Sequence, residues 1–93
     1  MEQENLAHKG EAPKVKSLAK ALNVLSCFTT QHPVWGISDL AERIGVTKSN
    51  IHNIVSTFCG MGYLDRTPDG HYTLGLKMLE FAFIINQDRK SVV

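Results

Sequence analysis

Between Ile37 and Phe58 the chain reads ISDLAERIGVTKSNIHNIVSTF, and the spacing inside this stretch constrains the fold more than any other feature. Leu40, Ile44, Val46, Ile51 and Ile54 are apolar, Ala41 is small, and Gly45 follows that alanine by one helical turn. Two short helices crossing at a steep angle need this set: a small side chain where the backbones approach, a glycine at the turn, and aliphatic groups on the facing sides. Ser38 is placed to cap the first helix, Asp39 and Glu42 put negative charge in its opening turn, and Gly45 ends it. Thr47 is placed to cap the second.

At about 100° per residue, Ile51, Ile54, Val55 and Phe58 share one narrow arc of that second helix. Ser49, His52, Asn53 and Ser56 fall opposite them, with Lys48 and Asn50 at the flanks. A bent helix pair leaves the outer face of its second helix free to enter a DNA major groove. Short side chains that both donate and accept hydrogen bonds suit base edges: Asn pairs bidentately with adenine, Ser serves several bases, and Lys reaches guanine or a phosphate. Surface helices commonly have a polar face; here the turn, the cap and the hairpin that follows favour a DNA-reading role over simple solvation. The expected contact set is Lys48, Ser49, Asn50, His52, Asn53 and Ser56, with Thr47 and Lys20 near phosphates and Ser38 also at the DNA.

Residues 1–14 are polar, with Leu6 the one sizeable apolar side chain, and are expected to form a flexible arm. From Ser17, a candidate cap, Leu18, Ala21, Leu22, Leu25 and Phe28 recur at helical steps and predict one buried face; Gln31, His32 and Pro33 stop that helix. Val34 to Ile37 reads as a brief extended rung, and Gly60 and Gly62 close the helix after Thr47. Two short strands, 63–66 and 71–74, flank the turn Thr67-Pro68-Asp69-Gly70, whose residue order suits a tight reversal. Alternation points Tyr72 and Leu74 at the core, while Arg66 and His71 are placed for phosphates or the minor groove. After Gly75, LKMLEFAFIIN is a helix apolar on nearly every side, more than one small core can cover. Such a patch marks an interface, and Leu76, Leu79 and Phe83 are the expected contacts of a homodimer. The fold class is α+β, mostly helical: a winged helix-turn-helix over 15–75, with a three-helix core and a hairpin wing, then a linker helix over 76–93.

A chain of 93 residues forms one small domain. With 43% hydrophobic and 20% charged residues it is neither disordered nor a membrane protein. The longest apolar run, Phe81 to Ile85, is too short to span a bilayer, and the opening MEQENLAHKG lacks a signal-peptide core, so a cytoplasmic location is expected. Cys27 and Cys59 have no metal-ligand spacing and read as reduced residues at the core edge; no cofactor is expected. His8, His32, His52 and His71 are scattered without a nucleophile or carboxylate pattern, which argues against an enzyme. The net charge of +1 is mild for a nucleic-acid binder. Between Lys14 and Gly60, however, Lys14, Lys16, Lys20, Arg43 and Lys48 face only Asp39 and Glu42. The mild charge keeps an alternative open, a winged helix used for protein contact without DNA binding.

The segments VKSLAKALNVL, ISDLAERIGVTKSNIHNIVSTF, GYLDR and GHYTLG together resemble the N-terminal DNA-binding domain of the IclR family of bacterial transcription regulators. The resemblance runs from Val15 to about Phe83. It implies a winged helix that binds operator DNA as a dimer, a linker helix, and a larger C-terminal domain that senses a small effector. On that pattern Lys48 and Ser49 open the recognition helix, and Lys20 stands where Arg is common. Asn50 replaces a frequent Thr, and Asn53 occupies a position where Arg is often found, so this helix carries less charge than the pattern leads one to expect. With the chain ending at Val93, the expectation is the DNA-binding part of a longer regulator, truncated before its effector domain.

Overall fold

The computed structural model describes residues 12–88; most of the expected N-terminal arm and the last residues of the expected linker helix lie outside them. The order of elements is α1 (Lys16–Ser26), α2 (Ile37–Ile44), α3 (Lys48–Met61), β1 (Leu64–Arg66), β2 (Tyr72–Leu74) and α4 (Leu76–Asp88). This is a mostly helical α+β arrangement with one antiparallel hairpin, in register Leu64 to Leu74, Asp65 to Thr73 and Arg66 to Tyr72.

The core sits where α1, α2, α3 and the hairpin meet. Val24, Leu40, Ile51, Val55 and Leu64 are fully buried there, joined by Phe28, Trp35, Ala41 and Tyr72. Each large aliphatic so enclosed stabilises the fold by about 1.5–3 kcal/mol relative to exposure. The turn between α2 and α3 is built as its residues require. Gly45 takes a left-handed backbone (φ 86°), and the amides of Gly45 and Val46 both donate to the Ala41 carbonyl, at 2.8 and 3.1 Å. Thr47 Oγ1 then accepts the Asn50 amide at 3.1 Å and caps α3.

Trp35 closes the core from the side of the loop before α2. Its backbone exchanges hydrogen bonds with Tyr72 in both directions (3.0 and 2.8 Å), adding the expected single rung beside β2. Its indole Nε1 donates to the carbonyls of Cys27 (3.1 Å) and His32 (3.0 Å), and the His32 ring stacks on it at 3.7 Å.

Several local expectations are corrected. Ser17 and Ser38 do not cap: α1 begins after Val15 and α2 after Gly36, neither with a side-chain cap, because the extended backbone and carbonyl of those preceding residues already start each helix. Leu18 and Leu22 are about half exposed, while Val24 is fully buried. The apolar stripe of α1 is wider than the contact it makes, and the core takes the edge carrying Val24 and Leu25, with Phe28 entering it from just beyond the helix, which ends at Ser26. Leu74 is exposed although it pairs with buried Leu64, since no side chain of α4 from Leu76 to Gln87 is buried and that end of the hairpin stays uncovered. Gly60 lies inside α3; Gly62 alone ends it, at φ 87°.

Gly60 is exposed, and a Cβ added there would meet nothing within 4 Å. Glycine in a helix interior is destabilising relative to alanine by roughly 0.5–1 kcal/mol. Gly60→Ala is therefore expected to raise the stability by about that amount, seen as a higher denaturation midpoint with an unchanged denaturant slope.

Candidate nucleic-acid interface

Ile51 and Val55 anchor α3 in the core, so the opposite face is presented outward by geometry alone. Lys48, Ser49, Asn50, His52, Asn53 and Ser56 are all exposed. Ser56 follows Ser49 by seven positions, about two helical turns, a length suited to a few base pairs along a groove. The hydroxyl of Thr47 accepts the cap bond and keeps its own proton to donate, which fits a phosphate oxygen at the helix N-terminus.

On the flank of this face, Asn53, Ile54, Thr57 and Phe58 meet Ala21 of α1 around an open apolar notch of about 240 Å³. Lys20 is half-buried and precedes Ala21 on α1. Ser38 is exposed in the first turn of α2, a position compatible with a phosphate even though it caps nothing.

The wing carries the other two candidates. The Thr67 amide donates to the His71 carbonyl at 2.8 Å, the Gly70 amide to the Thr67 carbonyl at 3.0 Å, and the His71 amide to Thr67 Oγ1 at 2.9 Å. Thr67 Oγ1 also donates to Asp69, and that hydroxyl holds the Asp69 carboxyl below its ordinary range, with nearby His71 acting in the same direction. Asp69 Oδ1 lies 3.5 Å from His71 Nδ1. The His71 ring rests on Gly36, where a Cβ would come within 3.3 Å of it. Arg66 is exposed, and its guanidinium reaches toward the turn, near Gly70.

Two exposed groups beside these were absent from the sequence-based set. Arg43, in the last turn of α2, belongs to the basic stretch, from which Lys14 and Lys16 are also outside the set, and that membership was the available signal. Thr57 continues the outer flank of α3, but its hydroxyl donates to the Asn53 carbonyl at 2.8 Å and leaves mainly its methyl outward. The two cysteines are half-buried free thiols. Burial pushes both thiols up; Arg43 opposes this at Cys27, while at Cys59 the Asp65 carboxylate adds to it and Arg66 opposes it. Among the described residues no cluster of His, Cys, Asp or Glu is arranged to hold a metal ion, and no helix is long and apolar enough to cross a membrane.

The model of the IclR helix-turn-helix domain matches residues 17–68, more than half of the chain and all but the first residue of the α1–α2–α3 unit. The chain belongs to the IclR family. Among its relatives, the HTH-type transcriptional regulator XynR of Escherichia coli (strain K12) is 35% identical over 69 residues, covering 73% of this chain and 27% of that protein. The HTH-type transcriptional regulator KipR of Bacillus subtilis (strain 168) is 35% identical over 72 residues, covering 77% of this chain and 28% of that protein. The crystal structure of an IclR family transcriptional regulator from Brucella abortus superposes with a TM-score of 0.73 at 27% identity, over 85% of this chain and 31% of that one. The chain thus spans little more than a quarter of the length of these two HTH-type relatives.

Proposed function

We propose that this chain binds double-stranded DNA sequence-specifically, as the DNA-binding part of a bacterial IclR-type transcription regulator. In this reading α3 lies in the major groove and the 63–74 wing on the backbone. The observation that carries it is the outer face of α3, where Ser49, His52, Asn53 and Ser56 are all exposed in a chain whose family is a helix-turn-helix family of regulators. Family and relatives favour this over a winged helix used only for protein contact. Because α3 itself carries a single cation, Lys48, the hold on phosphates falls to Lys20, Arg66, His71, the hydroxyls of Ser38 and Thr47, and the amides at the N-terminus of α3.

A homodimer fits a different set of exposed side chains, the apolar ones of α4 and of the α1 region. Leu76, Leu79 and Phe83 of α4 are half or more exposed, as are Val15, just before α1, and Leu18 of α1, with Leu22 close behind. A second copy would cover apolar area that a small monomer otherwise leaves in water. DNA as the partner implies a cytoplasmic location, and effector sensing is assigned to sequence beyond these 93 residues, in keeping with the greater length of the relatives. No catalytic role is proposed.

Salt dependence tests the DNA reading. With Lys20, Lys48 and Arg66 each displacing a counterion, log affinity should fall linearly with log salt with a slope of about −3 per copy bound. Absence of binding to operator-length duplexes at low salt, or binding without a salt slope, would overturn it.

A further inference from the structure

The end of α3 and the start of α4 are built into one another. Gly62 and Tyr63 close α3 in a paired-bond cap, the Gly62 amide donating to the Cys59 carbonyl (3.2 Å) and the Tyr63 amide to the Phe58 carbonyl (2.9 Å). The carbonyls of the same two residues then serve the next helix. Gly62 O accepts the Lys77 amide at 3.1 Å, one of the first-turn amides that a helix cannot satisfy internally, and Tyr63 O accepts the Gly75 amide at 2.8 Å. The Tyr63 ring sits between the two helices, 5.8 Å from the Phe58 ring on α3 and 5.9 Å from the Phe81 ring on α4.

Gly75 is buried at the closest point of this junction. A Cβ there would collide with the Gly62 carbonyl oxygen and come within 3.1 Å of the Gly62 carbonyl carbon and the Leu64 amide nitrogen. Its φ is not in the left-handed region, so glycine is required by space and not by backbone angle. Contacts of backbone on backbone leave little room for adjustment.

We propose that Gly75, Tyr63 and Phe81 form a rigid elbow that fixes the direction of α3 relative to α4, and so sets the half-site spacing that a pair of copies reads on DNA. Gly75 is a positioning residue in this scheme, remote from the reading face. The inference rests on the DNA-binding and dimer reading above. Two α3 helices reach successive major-groove faces only at separations tied to the helical repeat of DNA. One added base pair turns the second half-site by about a tenth of a helical turn, so a stiff elbow discriminates between spacings and a loose one tolerates them.

The test is binding of the purified chain to duplexes carrying one half-site, or two half-sites at graded spacings, selected with the unaltered chain. The unaltered chain should prefer one spacing by about tenfold over its neighbours, comparable to a base-pair mismatch. Phe81→Ala removes one side of the aromatic seat without touching the core, and Gly75→Ala wedges the junction. Both should keep single half-site affinity within about twofold while the spacing preference flattens to about twofold or moves to another spacing. If Gly75→Ala does not fold, Phe81→Ala decides. An equally sharp and unmoved preference in the folded variants overturns the elbow. Single half-site binding by the unaltered chain with no spacing preference also overturns the elbow and leaves DNA binding standing. No binding to any duplex overturns the DNA reading itself, and the elbow with it.

Discussion

Trp35→Ala is expected to cost about 3–5 kcal/mol of folding stability, the range for removing a buried aromatic. Small domains have about 5–15 kcal/mol in total, so this one substitution removes a large part of the margin. Trp35 is 8% exposed, and three elements depend on it. Its backbone carries the rung to Tyr72 that ties the wing to the segment entering α2, and its ring holds His32. Its Nε1 satisfies the Cys27 carbonyl at the end of α1 and the His32 carbonyl in the following loop. Trp35→Phe separates the contributions. It keeps most of the apolar volume and loses the shared N–H donor, so a smaller cost of about 1–2 kcal/mol is expected. Chemical denaturation of the three proteins checks the ranking. A Trp35→Ala protein within about 1 kcal/mol of the parent would mean that the loop is held by something other than the indole.

The parts of the fold that were legible in the sequence are those decided within a few residues. Ala41, Gly45 and Thr47 specify the bend between α2 and α3 through local sterics and a local cap, and all three act as their spacing indicated. Pro68, Asp69 and Gly70 did the same for the wing turn, where Gly70 takes φ 89°. What could not be read locally was the choice among apolar faces. Leu18 lies within the apolar arc that the spacing of α1 selects and Val24 outside it, and only the docking of α2 and α3 buries Val24 instead. Leu74 looked inward by alternation, yet alternation does not say whether anything covers the end of a hairpin. Ser38 and Ser17 are good capping residue types one or two positions inside helices that start earlier, because Gly36 and Val15 are already extended.

The candidate site divides in the same way. The outward face of α3 follows from helical periodicity once Ile51 and Val55 are seen to be core, and its exposed polar set is the one that periodicity selects. The role of Gly75 was invisible, because the oxygen that excludes its side chain belongs to Gly62, on the far side of the hairpin. Arg43 belongs to the basic stretch visible in the sequence, but its place in the last turn of α2, beside Ser26 and Cys27, depends on how α2 docks on α1 and could not be read locally.

Under the proposed function the short polar side chains of α3 read bases while the grip on phosphates comes from elsewhere. Asn53 is the residue on which this turns. It is exposed at the middle of the outer face, its backbone carbonyl is occupied by the Thr57 hydroxyl, and its side-chain amide is free of any protein hydrogen bond among the described residues. That leaves both its donor and its acceptor for one base edge, the bidentate arrangement that favours adenine. The decisive measurement is a comparison of the chain and its Asn53→Ala variant across all single-base variants of a selected duplex, each at several salt concentrations. The expected result is a loss of about 1–3 kcal/mol of discrimination at one base-pair position, with the slope of log affinity against log salt unchanged. Discrimination intact at every position, or a uniform loss of affinity accompanied by a shallower salt slope, would contradict base reading by this face.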